Sequence, residues 1–325
     1  MTTTAEHAYV GIGTAPGYSP TMAEQLCRVS PEIELCWEGF GDRADPPLIL
    51  IMGLATQMIA WPEEFCGQLA DRGFYVVRFD NRDAGRSTHV RGRPPTIGQL
   101  AIRSGKAARY ALADMAADAI GLLRELELGP AHVVGASMGG MIAQTVAARH
   151  PEWTRSLVSI MSTTGGRWVG QSSPLLYPIF LRRPGEGREA AVERTVKVFK
   201  AIGSRGLPKD LDFVREIAER SYDRDHDPYG PGRQLAAIFA SGDRTSELRR
   251  ISAPTTVVHG TDDRLVRPSG GRATARAIPG ARLVTIEGMG HDLPRTAWPR
   301  LIDAIAANAA RAESQPEPAG SGSVG

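Results

Sequence analysis

The stretch His132-Val-Val-Gly-Ala-Ser-Met-Gly-Gly140 runs directly into Met141-Ile-Ala-Gln-Thr-Val-Ala-Ala-Arg149. Its first five residues form a short continuous apolar run of the kind buried on both faces of a sheet. The residues after Ser137 are dominated by good helix formers. Between strand and helix lies Gly135-Ala136-Ser137-Met138-Gly139, a Gly-x-Ser-x-Gly pentapeptide in a strand–turn–helix setting. The spacing has a mechanical reason. Glycines two residues before and two after the serine let strand and helix approach closely, so that the hydroxyl projects from a strained turn. The helix N-terminus beside Ser137 favours negative charge developing there. A chance pentapeptide in a chain with 36 glycines would not bring this flanking strand and helix with it.

Outward from this turn, similar apolar runs bounded by Gly, Pro or Asp recur at 48–52, 74–79, 157–161, 255–259 and 282–286. Helix-period segments lie between several of them, at 61–72, 113–128 and 138–149, and another follows the last at 296–311. Such alternation predicts an α/β fold, a mostly parallel sheet with helices on both faces. It breaks after Met161, where residues 162–252 contain helical pieces (190–200, 211–222) and no convincing strand. That segment reads as an inserted helical cap. The expected organisation is an N-terminal extension at 1–30, a core at 31–161 and 253–312, the cap at 162–252, and a disordered tail at 313–325, whose Glu-Ser-Gln-Pro-Glu-Pro composition offers little to bury.

Composition narrows the function. Lys and Arg total 38 against 36 for Asp and Glu, so there is no global basic footprint for nucleic acid. No 18-residue apolar stretch and no signal-peptide-like start occurs, which predicts neither export nor a membrane span. Cys27, Cys36 and Cys66 are too few for a disulfide framework and lack zinc-ligand spacing, and read as reduced cytoplasmic thiols. Gly11-Ile-Gly13 lacks the third glycine and the preceding strand of a dinucleotide site. The expectation is an enzyme without metal or cofactor.

A serine hydroxyl is a weak nucleophile until a base takes its proton, and the base needs an orienting acid. With the nucleophile on a strand-to-helix turn, acid and then histidine should follow in the chain. Of seven histidines, His132 and His259 lie in buried strand patterns, His150 ends a helix, His7 is near the terminus, and His89 and His226 are in polar loops. His291, in Gly288-Met-Gly-His-Asp-Leu-Pro294, follows the last apolar strand, where sites in open α/β sheets form. The acid belongs after the strand at 255–259, in Gly260-Thr-Asp-Asp-Arg264, where Asp262 and Asp263 compete. Backbone amides of Met138 and of Leu54, in the loop after the strand at 48–52, are the candidates to hold an oxyanion; simple packing is the other reading of Leu54.

Taken together, Ile51-Met-Gly-Leu54, Arg78-Phe-Asp-Asn-Arg-Asp-Ala-Gly-Arg-Ser87, Gly135-Ala-Ser-Met-Gly-Gly140, Tyr222-Asp-Arg224, Arg267-Pro-Ser-Gly-Gly271 and Gly288-Met-Gly-His-Asp-Leu-Pro294 resemble the serine α/β-hydrolases. Within them the chain is most similar to the actinobacterial esterase/lipase group of mycobacterial lipase/esterase G and, more distantly, aclacinomycin methylesterase. The resemblance spans about residues 33–308. It implies Ser137 as nucleophile, Asp263 rather than Asp262 as acid, His291 as base, and no cofactor. Met52 stands where many members of the wider fold carry His before the glycine, though the actinobacterial group shares this departure. In related hydrolases the turn equivalent to 80–87 buttresses the sheet beside the oxyanion loop.

The function this implies is hydrolysis of a carboxylic ester, on a small-molecule or lipid-like substrate. Carbon–carbon bond hydrolysis of the meta-cleavage type, whose members also carry Ser-Met-Gly-Gly, thioester or peptide hydrolysis, and a non-catalytic receptor on the same fold are the competing readings. Arg86, Arg91, Arg93, Arg103, Lys106 and Arg109 occur without an intervening acid. The stretch reads as a solvated loop, or as a surface for peripheral membrane contact or an anionic acyl donor. Trp168, Leu175, Leu176, Tyr177, Ile179, Phe180, Phe199 and Phe239 are the cap's apolar stock, for an acyl pocket or for docking on the core.

Overall fold

The structure is a computed structural model, and it describes residues 23–92, 96, 98–99, 105–180 and 185–314. Gly11-Ile-Gly13, Arg93, Arg103, the Phe180 side chain and the tail beyond Ser314 lie outside the described residues.

Eight strands form one sheet: β1 (Gln25–Arg28), β2 (Glu34–Phe40), β3 (Pro47–Ile51), β4 (Tyr75–Phe79), β5 (Ala131–Ala136), β6 (Thr154–Ile160), β7 (Thr255–Gly260) and β8 (Arg282–Ile286). Their order is β1-β2-β4-β3-β5-β6-β7-β8. The pairs β1/β2 and β2/β4 are antiparallel, and all others are parallel. Because β1 pairs with β2 from Gln25 to Arg28, the sheet reaches further toward the N-terminus than the expected boundary at residue 31. Sequence missed this antiparallel edge because β1 is short and mostly exposed, and β2 carries Glu38, whose burial depends on a partner in β4, Arg78.

Successive side chains of a strand point to opposite faces, and the two cores divide accordingly. Ile49, Ile51, Val77, Val133 and Leu157 pack with helices α2 (Leu112–Glu125) and α3 (Met138–Arg149). Leu48, Leu50, Val76, Val134, Val158 and Val258 pack with α1 (Glu63–Ala70) and the final long helix, Trp298–Glu313. Each such side chain contributes roughly 1.5–3 kcal/mol by leaving water. These alternating buried rows fix the register of β3 and β5, two of the strands whose carboxyl ends carry the site.

Between β6 and β7 lie helices α4 (Arg188–Ile202), α5 (Leu211–Arg224) and α6 (Gly230–Ser241), with short helical turns at Tyr177–Phe180 and Thr245–Leu248. Helix α7 (Ser269–Ala277) joins β7 to β8, and α8 (Trp298–Glu313) closes the chain. Glu313, assigned from its sequence to the tail, is the last residue of α8. Among the inserted apolar residues Leu176 is buried, whereas Trp168, Leu175 and Tyr177 are exposed.

Candidate active site

Strand β3 pairs with both β4 and β5, so the connections leave it in opposite directions and open a crevice at the carboxyl edge. Ser137 stands there, between β5 and α3, with φ 57° and ψ −118°. A positive φ is costly for a residue with a Cβ, and local contacts hold it. The Ser137 amide donates to Ile160 O at 2.9 Å, and the Ser162 hydroxyl donates to Ser137 O at 2.8 Å. The flanking glycines are required by contact: a Cβ on Gly139 would lie 2.0 Å from Ile51 O, and one on Gly135 would lie 2.1 Å from Gly139 O.

Three loops bring the expected side chains together. Ser137 Oγ lies 2.9 Å from His291 Nε2, and His291 Nδ1 lies 2.7 Å from Asp263 Oδ2. A proton on Nδ1, donated to the carboxylate, leaves Nε2 free to accept from the serine. Asp263 is fixed from behind by the amides of Leu265 and Val266, both 2.9 Å from Oδ1. Burial would raise its carboxyl, but the charge of His291 and hydrogen bonds from His259 and His291 hold it at about 2. Asp262 turns the other way, with its Oδ2 3.6 Å from Arg205.

His259, read from sequence as a strand residue, ends up beside Asp263. Its Nε2 lies 2.8 Å from Val266 O and 3.5 Å from Asp263 Oδ2. Since both neighbours are acceptors, Nε2 carries the proton. The only hint in the sequence was its position four residues before Asp263.

The loop after β3 packs on the serine, for a Cβ on Gly53 would be 3.2 Å from Ser137 Cβ and 3.7 Å from Oγ. Met138 opens α3, where the first amides have no intrahelical partner. Leu54 follows Gly53 and is held from both sides. Asn81 Nδ2 donates to Met52 O at 2.9 Å, and the Ala55 amide donates to Gln234 Oε1 of α6 at 2.9 Å. The 80–87 turn is tied into this support through buried Asp80, which accepts from the amides of Met58 at 2.7 Å and Arg86 at 3.0 Å and from Arg224 of α5 at 3.0 Å.

Behind Ser137, buried Arg244 donates to Met141 O and Gln144 Oε1, each at 2.9 Å, and to Thr163 O at 2.7 Å. Burial lowers its guanidinium to about 10. Asp83, His89 and Asp227 form the one metal-compatible group among the described residues. Arg233 donates to both carboxylates and Tyr110 donates to Asp83 at 2.7 Å, so protein donors already occupy these oxygens.

Comparison with known proteins places the chain among relatives. A model of the alpha/beta hydrolase fold matches residues 46–294. Rhodomycin D methylesterase DnrP of Streptomyces peucetius is 30% identical over 298 residues, covering 85% of this chain and 95% of the relative. Among solved structures, the enol-lactonase from Burkholderia xenovorans LB400 superposes with a TM-score of 0.65 at 23% identity, covering 90% of this chain and 100% of the other. The 2-hydroxy-6-oxo-6-phenylhexa-2,4-dienoate hydrolase from Rhodococcus sp. strain RHA1 gives 0.67 at 18%, covering 91% and 99%. At these identities the two structures speak to fold alone.

Proposed function

Because the chain belongs to the alpha/beta hydrolase family, we propose that it hydrolyses carboxylic esters through an acyl-enzyme on Ser137. One observation carries this reading: Ser137 Oγ, His291 and Asp263 stand in hydrogen-bonded sequence at 2.9 and 2.7 Å. Ser137 Oγ attacks the acyl carbon while its proton passes to His291 Nε2, and Asp263 stabilises the imidazolium. The amides of Met138 and Leu54 receive the oxyanion. His291 returns the proton to the leaving alcohol, then takes one from the water that releases the acid. The chemistry asks for no metal or cofactor.

A methylesterase as a relative makes methyl esters the first substrates to try, and supports assignment to the actinobacterial esterase group. Lipid-like esters fall within the same reading, and exposed Trp168, Leu175 and Tyr177 favour peripheral contact with a lipid surface. Among the described residues no helix is long and apolar enough to cross a membrane. Three free cysteines suit a reducing compartment, and we place the reaction in the cytoplasm.

The test is hydrolysis of a p-nitrophenyl ester chain-length series and of methyl esters by the purified protein and by Ser137→Ala. The variant is expected to lose roughly a thousandfold or more in kcat. Retained turnover in Ser137→Ala would remove the serine from the mechanism. A folded wild type inert toward every ester would shift the assignment to carbon–carbon hydrolysis or to a ligand receptor.

A further inference from the structure

The loop that carries His291 is held from outside the core, by the short inserted segment between α4 and α5. His291 donates its amide to Ile202 O at 2.9 Å, and the Gly290 amide donates to Ser204 Oγ at 2.9 Å. Asp292 Oδ1 accepts the Ser204 hydroxyl at 2.6 Å and the Ser204 amide at 2.9 Å. Further out, the amides of Gly206 and Arg205 reach Gly288 O at 3.1 and 3.3 Å. Every residue of the triplet 290–292 is thus bound by 202–204. The two backbones meet so closely that a Cβ on Gly290 would lie 2.4 Å from Gly203 C, and one on Gly206 would lie 2.6 Å from Gly288 Cα. Ser204 is fully buried.

We infer that Ser204 and Asp292 are a pair of positioning residues that set the base, so that the inserted segment builds part of the catalytic geometry. The inference rests on the assignment of His291 as the base acting on Ser137. Its physical content is directional. The Ser204 hydroxyl has one proton, and giving it to Asp292 turns its lone pairs toward the Gly290 amide. A single hydroxyl therefore fixes the backbone before His291 and the side chain after it. The imidazole sits on the residue between these two anchors, where its ring is already committed at both nitrogens to Ser137 and Asp263. Small displacements of such a ring are expensive, because misplacement by about 1 Å can cost on the order of a hundredfold in rate.

The experiment uses the full chain and two readouts. The first is the strongly downfield proton resonance of the His291 Nδ1–H···Asp263 hydrogen bond, which needs no substrate. The second is the division of ester turnover between kcat and KM. Ser204→Ala and Asp292→Ala should each shift or broaden the resonance and lower kcat by roughly 10- to 100-fold, with KM moving less than about threefold. Asp292→Asn, which keeps an acceptor oxygen, should retain at least about a third of kcat. The Ser204→Ala/Asp292→Ala double variant should be no worse than either single, because both changes break one unit. Circular dichroism and thermal unfolding verify that the proteins compared are folded.

A folded Ser204→Ala protein with the wild-type resonance and wild-type kcat overturns the inference. So does a change confined to KM, or an activity loss that only follows the unfolded fraction. If the resonance is absent from the wild type, or survives Asp263→Asn, the triad assignment itself has failed rather than the role of Ser204.

Discussion

Gly139 occupies the second position of α3, and intrinsic helix propensity would favour alanine there by about 1 kcal/mol. The structure reverses the sign, since the added methyl would lie 2.0 Å from Ile51 O and 2.7 Å from Met52 O, both backbone atoms of the strand and loop beside the serine. Gly139→Ala is therefore expected to destabilise the protein by about 2 kcal/mol or more and to depress turnover, measured by urea unfolding and ester hydrolysis. A variant more stable than wild type, with kcat intact, would refute the close approach. This constraint was legible in the sequence, because Gly-x-Ser-x-Gly between an apolar run and a helix-forming run admits few backbones. The choice between Asp262 and Asp263 was not legible from the residues themselves. Adjacent side chains diverge according to the loop, and here the amides of Leu265 and Val266 fold back onto Asp263 and turn Asp262 outward.

Among elements, the strands buried on both faces declared themselves by continuous apolarity, as in Ala131–Ala136, every residue of which is buried and which the sequence marks at 132–136. Helix α6 did not. It opens with Gly230-Pro-Gly232, which reads as a turn, and its helical path is set by packing and by long-range hydrogen bonds. Its Gln234 is fully buried and spans two core segments, accepting from the Ala55 amide at 2.9 Å and donating to Arg82 O at 2.9 Å. Ala55 has φ 59°, a left-handed conformation that a non-glycine residue keeps only when its surroundings hold it. Gln234→Leu would remove the partner of the Ala55 amide and of Arg82 O, two part-buried hydrogen bonds, at about 0.5–1.5 kcal/mol each. The expected result is a lower unfolding midpoint together with a kcat reduced by roughly tenfold or more, since Leu54, the proposed oxyanion donor, precedes the released amide and a lost donor of that kind costs about 10²–10³. Loss of stability with kcat unchanged would show that α6 braces the loop without influencing the oxyanion site.

At the scale of the whole molecule, acid reveals which buried groups the fold keeps from protonation. His132 is buried in β5, with Nδ1 2.9 Å from Ser156 Oγ and its ring 5.5 Å edge-on from Phe74. Burial, reinforced by the charge of Arg155, pushes its imidazole down to about 4, although half-exposed Glu313 lies 3.6 Å from Nε2. Burial is the stronger influence, because the carboxylate is screened by water while the ring is enclosed. The unfolded chain therefore takes up a proton near pH 6.5 that the folded chain refuses until about pH 4. Stability from this group is fully present above pH 6.5, falls as pH drops through that window, and is constant below it. Its size is on the order of 3 kcal/mol, from a pH window about 2.5 wide at 1.36 kcal/mol per pH unit. Asp263, held at about 2, acts in the next window: its stabilisation is present above its unfolded value near 4 and is lost as pH falls toward 2. The two windows separate, so urea unfolding between pH 7.5 and 4.5 reads His132 apart from Asp263. His132→Asn, which cannot titrate, should lose less stability across that range than wild type, by about one proton's worth of slope. Parallel pH dependences in the two proteins would mean that His132 is protonated within the fold, with Glu313 drawn in as its partner.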